Sequence, residues 1–259
     1  MEEAVTVHSL KDLFRFPFRE PEGRSRFVIG SVLVLVSYVL PTLPLLPVYG
    51  YLLRILRERI RGEPLALPAW EDWGQLTLDG LKAMLVSLVY LLPGGVVFFG
   101  GLGLYTAAVS ALVYLENTAE GPTVALGVAL SLLFPLAIIV LFLSLAVGML
   151  LMVAGAIPLP LALAHLAQEE RLAAAFHVRE WWGLLRANAM GYFVGWVIAA
   201  GLLAMWYVAF LLLYYTGCLC ALIPFVGAPT GFYLSLVGAV VFGQVYREST
   251  ALLSEGQRR

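Results

Sequence analysis

"PLALPAWEDWGQLTLDGLKAM", residues 64–84, crowds two tryptophans, three carboxylates and a lysine between two oily runs. Such a stretch is either a catalytic constellation or the place where a chain passes from water into lipid. Composition favours lipid. Of the 259 residues, 61% are hydrophobic and 13% charged, with a mean hydropathy of +0.89, whereas soluble domains run at roughly 45–50% apolar and 25% charged. A chain of this make-up is expected in a bilayer. A net charge of -1 offers no basic surface to collect phosphates, so nucleic acid is not an expected partner.

Charge placement sets the expected architecture. Asp, Glu, Lys and Arg are absent from residues 28–53, 83–115, 121–168 and 188–246, and a spanning helix needs only about 20 apolar residues. The expected fold is therefore an all-α polytopic transmembrane bundle. Basic residues fall in four clusters, at 11–26, 54–82, 171–186 and 247–259. Because Lys and Arg mark the cytoplasmic face, all four belong on one side and an even number of crossings separates each pair. Two, four and two crossings give eight, with "ENTAEG" (116–121) turning the chain inside the middle block. A kinked or re-entrant segment there lowers the count to six or seven. The expected partition is a cytoplasmic interfacial segment at 1–26, one membrane domain at 27–248 and a cytoplasmic tail at 249–259, in the cell membrane.

The N-terminus opens acidic and lacks the order of a cleaved leader. Val5, Val7, Leu10, Leu13, Phe14 and Phe18 beside Lys11, Arg15 and Arg19 read as a segment lying on the membrane face. In the opening stretch, Pro68 suits a first helical turn, Glu71 and Asp72 its positive end, and Trp70 and Trp73 one shared face. The pattern returns at 171–193, where Trp181 and Trp182 stand beside Arg179, Glu180 and Arg186. Tryptophan prefers the headgroup level, so both are expected to be interfacial entry helices.

Three blocks, at 40–60, 154–172 and 220–248, share a proline-bearing break followed by a helix ending in polar residues, as in a parallel repeat. Residues 27–40 make about 21 Å of helix and 48–60 about 20 Å, each short of a ~30 Å hydrocarbon layer. Two readings stay open. Pro41, Pro44, Pro47, Pro158, Pro160, Pro224, Gly227 and Pro229 mark broken helices converging on an internal pocket, or the prolines merely kink continuous helices.

"VYGYLLRILRERIRGEPLALPAWEDWGQLTLDGLKAMLVSLVYLLP" (48–93), "RLAAAFHVREWWGLLRANAMGYF" (171–193) and "GQVYRE" (243–248) together resemble the bacterial and archaeal membrane family called domain of unknown function 4013. Its distinctive marks are the Gly-Tyr-Leu-Leu-Arg run, the order Leu-Pro, Trp-Gly-x-Leu, Asp-Gly-Leu-Lys, and the closing Gly-Gln-x-Tyr. The resemblance implies a multi-spanning membrane protein and carries no activity.

Arg54, Arg57 and Arg61 share a helical face, with Glu58 placed to pair with Arg54. They are expected at the interface as anchors, or as contacts to anionic headgroups, because an arginine at mid-membrane costs about 2.5–3.5 kcal/mol. Asp79 and Lys82 read as a helix start. His8, His165 and His177 are scattered, with only Gln168 and Glu169 near His165, so no metal or cofactor is expected. Cys218 and Cys220 are too close together for an easy bridge. No nucleophile elbow, zincin motif or phosphate loop is present, and the charge-free runs disfavour ion-coupled pumping. Gly191/Gly195 and Gly227/Gly231 have the spacing for close helix packing, within the chain or between copies. The sequence thus points away from an enzyme. It leaves a passive conduit, carrier or lipid-binding protein, or else a scaffold assembling with itself or another membrane protein. A lipid enzyme using Glu71, Asp72 and Asp79 ranks third.

Overall fold

The computed structural model describes residues 13–118, 124–216 and 220–257. Expectations for residues 1–12, for 119–121 of the 116–121 turn and for Cys218 fall outside them. Among the described residues the chain is helical, with α1 (Pro21–Val36), α2 (Leu45–Arg61), α3 (Trp73–Thr118), α4 (Val124–Ala156), α5 (Leu159–Glu169), α6 (Val178–Ala187), α7 (Ala189–Tyr215) and α8 (Ile223–Gln257).

Four helical stretches are long and apolar enough to cross a membrane: Trp73–Thr118, Ser131–Glu169, Ala189–Tyr215 and Ile223–Glu255. The expected six to eight crossings are not confirmed. The largest difference lies in the middle block, where α3 runs unbroken for 46 residues through Pro93 and α4 for 33 through Pro135. Four expected crossings become two helices. A charge-free run fixes how much chain is oily but not where it turns, and an interior proline is tolerated in a membrane helix when neighbours satisfy the freed carbonyl.

α8 is the hub, packing against α1, α2, α6 and α7. α2 runs parallel to it, with the Tyr51 and Phe232 rings 6.3 Å apart and Gly243 seated on Leu56 and Arg59. α1 runs antiparallel, its Gly30 lying under the Phe232 ring. α7 is also antiparallel, with Gly195 against Val241 and Phe242, and with Trp206 Nε1 donating to Thr230 Oγ1 at 3.0 Å. Of the two expected glycine pairs, Gly195 and Gly227 make such contacts. Gly191 meets only its own cap residue Asn188, and Gly231 faces open space.

The N-terminal expectation changes. Leu13 and Phe16 are buried in the same core cluster as Tyr51, Trp70 and Phe232, and the Tyr233 hydroxyl donates to the Phe14 carbonyl at 2.9 Å. From residue 13 the segment therefore plugs the bundle rather than lying on a membrane face. Aromatic side chains that match an interfacial pattern satisfy a core equally well. α1 begins at Pro21, ahead of the expected boundary, and α8 continues to Gln257 through the expected tail.

The proline segments differ among themselves. The first is a true break: Pro41 is exposed in the turn between α1 and α2, Pro44 is the N-cap of α2 and Pro47 lies in its first turn. Pro158 sits in the two-residue turn before α5, and Pro160 is that helix's second residue. In the third segment Pro224 is the second residue of α8, directly after a 3-10 turn at Cys220–Leu222, while Gly227 and Pro229 lie inside that helix, which does not break at them. Proline early in a helix removes a donor that has no intrahelical partner there.

The chain divides into two compact units, one formed by residues before Ser87 together with those from Pro160 onward, the other by Ser87–Leu159. The second is a hairpin of α3 and α4. A Cβ added at Gly148 would lie 2.7 Å from the Phe98 backbone nitrogen and Cβ, and one at Gly155 would overlap the Tyr90 carbonyl. Such backbone proximity holds membrane helices together where the hydrophobic effect does not act between them. Gly148→Leu is expected to cost about 1–3 kcal/mol and lower the melting temperature in detergent. Gly103→Leu, at a position with open space around it, should not.

Candidate functional site

The opening stretch is not a helix from Pro68. Residues 64–72 form an irregular arm, and α3 starts at Trp73 immediately after Asp72, which adopts a left-handed backbone (φ 54°) and accepts the first helical bond from Leu76 N at 3.0 Å. The carboxylates at 71–72 thus do stand at a helix N-terminus, with Pro68 and Trp70 outside it. Trp70 is buried, stacked on Tyr51 at 3.9 Å with nearly parallel rings, and its Nε1 donates to the Arg26 carbonyl at 2.8 Å. Tyr51 in turn donates to the Pro68 carbonyl at 2.8 Å. Trp73 points outward.

The second tryptophan pair divides the same way. Trp181 is buried, its Nε1 without a hydrogen-bond partner, whereas Trp182 is exposed with Arg186 5.7 Å over its ring. Each pair therefore offers one ring to the core and one to the surroundings, where both had been expected at the headgroup level. Arg179 lies beside them in the first turn of α6.

Asp79 is not a cap. It sits in the second turn of α3, its side chain 7% exposed, accepting from Arg57 Nη2 at 3.3 Å, Lys82 Nζ at 3.0 Å and Gln75 Nε2 at 3.1 Å. Arg57 also donates to the Ala167 carbonyl of α5 at 3.1 Å and pairs with Glu170 at 3.4 Å. One guanidinium thus ties α2, α3 and α5 together. Gly50 and Gly80 make this possible, since a Cβ at either would overlap a carbonyl oxygen of the facing helix, Leu76 or Leu46. Arg54 pairs with Glu58 at 3.3 Å as its spacing predicts, and Arg61 with Glu170 at 3.4 Å. Burial raises the Glu58 carboxyl above the usual carboxylate range, against the lowering effect of Arg54.

His165 has partners that its sequence neighbours do not reveal. Its ring bridges the Tyr246 hydroxyl at 2.8 Å and the Glu180 carboxylate at 3.0 Å, joining α5, α8 and α6. Among the described residues no group of three His, Cys, Asp or Glu is placed to hold a metal.

A half-open cleft of about 470 Å³ lies between α7 and α8, closed at one end by the N-terminal arm and α2. Val194, Gly195, Ile198, Val240 and Val241 make its apolar walls, and Arg19, Arg59, Gln244 and Glu248 its polar end. None of the eight proline-segment residues lines it. The breaks do not converge on this cavity: the α1–α2 turn is exposed, and Gly227 and Pro229 sit within α8 away from its lining. Arg59 projects from the other side of α2 to Arg54, Arg57 and Arg61. Its Nη1 donates to the Glu63 carbonyl at 2.8 Å, and its buried Nε has no hydrogen-bond partner among the described residues. Burial, then the neighbouring Arg247 charge, push its guanidinium below the ordinary value.

These features define a class: an all-helical protein whose four long apolar stretches fit a multi-pass membrane protein. The family model described as "Protein of unknown function (DUF4013)" matches residues 33–215, and the chain belongs to that family. The matched region holds the Gly-Tyr-Leu-Leu-Arg and Trp-Gly-x-Leu runs and the middle block, and stops short of residues 243–248. No curated protein and no solved structure matches the chain.

Asp79→Asn removes the more buried of the two carboxylates paired with Arg57. The expected loss is about 1–3 kcal/mol, read as a lowered unfolding midpoint in detergent. Adding Arg57→Met to that variant should recover part of the loss.

Proposed function

We propose that this is a cell-membrane protein that binds or carries a bilayer amphiphile in the α7–α8 cleft and catalyses no reaction. The observation that supports the reading most directly is the cleft itself, apolar along two long membrane-type helices and cationic at one end. Its volume lies in the roughly 300–1,000 Å³ range of small-molecule sites. In this reading the three arginine-bearing ends, at 54–61, 171–186 and 247–259, and both termini face the cytoplasm.

The crossing count in this reading is six. α1 and the charge-free part of α2 pass in and back as a short helical pair, and α3, α4, α7 and α8 supply the other four. The charge-free parts, 27–36 of α1 and 45–53 of α2, measure about 15 and 14 Å, so this pair needs local thinning and burial against α8 to cross. The order two, two, two returns the chain to one face at every basic cluster.

A second reading is a scaffold that joins a larger assembly or a second copy of itself. It draws on the outward face of α7, where Phe193, Tyr207, Tyr214 and Tyr215 are exposed. The two readings separate on one variant. Val194→Trp, filling the cleft from an exposed lining position, is expected to abolish lipid adducts in native mass spectrometry without changing the melting temperature. Unchanged adducts, with a retained partner, would favour the scaffold.

A further inference from the structure

We propose that the cleft takes an anionic glycerophospholipid, with one acyl chain between α7 and α8 and the phosphate on the Arg59 side of the rim. This rests on the amphiphile-binding reading above and adds a headgroup chemistry to it.

Of the four arginines on α2, Arg59 is the one with a buried, unsatisfied guanidinium nitrogen among the described residues. Arg54, Arg57 and Arg61 are each paired with a carboxylate. Among the described residues no carboxylate pairs with Arg59, whose one side-chain hydrogen bond there is to the Glu63 carbonyl. Removing a guanidinium from water without a counter-charge is unfavourable, and a phosphate oxygen supplies both the charge and a geometry that suits guanidinium. Arg19 stands on the same rim, and Arg247 lies close enough to Arg59 to repel it. An anion relieves that repulsion as well.

The lining also contains one opposing charge. Glu248 is engaged by the amides of Gln244 at 3.0 Å and Asn188 at 3.5 Å, on the α7–α8 side of the rim. Among the described lining residues Arg59 and Arg19 stand beside this one carboxylate, which its two amides already engage. The occupant is a lipid rather than a free anion because the walls are hydrocarbon and because the most apolar 18-residue window of α7 holds no buried residue. The side of α7 turned away from α8 is thus left for bilayer lipid, and an acyl chain reaches the cleft sideways without crossing water.

The test uses the full chain in nanodiscs or detergent, with phosphatidylglycerol, phosphatidylcholine and inorganic phosphate as probes and native mass spectrometry as the readout. Wild type is expected to hold phosphatidylglycerol in preference to phosphatidylcholine and to ignore phosphate. Arg59→Gln should lower that preference about five- to tenfold, while Arg59→Lys keeps most of it. Glu248→Gln should raise it, and Arg171→Gln, exposed and remote from the cleft, should leave it unchanged. If Val194→Trp removes lipid but Arg59→Gln leaves the preference intact, the headgroup assignment is wrong and the cleft reading survives. If no lipid is held at all, the cleft reading itself fails. Binding of phosphate as tightly as phosphatidylglycerol would overturn the lipid in favour of a free anion. Should Arg59→Gln fail to fold, loss of preference in the folded Arg59→Lys variant would equally count against the assignment.

Discussion

The junction of α2 with α3 depends on two backbones coming close enough for Arg57 to reach Asp79. Gly50 and Gly80 leave no side chain in the way, and the carboxylate then finds a guanidinium, an ammonium and an amide within hydrogen-bond reach. Closeness and charge depend on each other here. Without the glycines the pair is out of reach, and without the pair a carboxylate buried near the start of a long apolar helix keeps only Lys82 and Gln75 of its own helix. Because Arg57 also holds α5 through the Ala167 carbonyl, this contact fixes where the returning chain lands.

That commitment has a consequence for function. Arginines at the end of a membrane helix are ordinarily read as a single class of anchor, yet α2 divides its own into two. Arg54, Arg57 and Arg61 are spent on neighbouring carboxylates. Arg59, projecting elsewhere on the helix, borders the cleft with its hydrogen bonding incomplete. The same division runs through the tryptophans, with Trp70 and Trp181 inside and Trp73 and Trp182 outside. Half of each amphipathic shoulder builds the fold and half is left for what surrounds it.

The His165 bridge shows a further limit of reading along the chain. A histidine among alanines and leucines looks inert by sequence, because its partners Tyr246 and Glu180 lie on α8 and α6, far away in chain order. Similarly, Pro93 and Pro135 lie in helices that do not stop, whereas the prolines at 41 and 44 attend a real turn. Proline only removes a donor and crowds a carbonyl. Whether the helix ends there depends on what its neighbours supply.

Composition and the spacing of charges were enough to point to a helical chain with membrane-type apolar stretches and to the Arg54–Glu58 pair, and the quoted motifs were enough for the family. These are local or additive properties: transfer free energy sums over residues, and an i,i+4 pair needs only one helix. Tertiary structure alone decided that the middle block is one hairpin, that Asp79 is a buried partner rather than a cap, that Trp70 belongs to the core, and that the cleft lies beside α8 and not at the prolines. Each depends on which helix faces which. In a chain where nearly every face is apolar, hydropathy barely distinguishes one face from another, so close backbone approach and a handful of polar contacts make the choice.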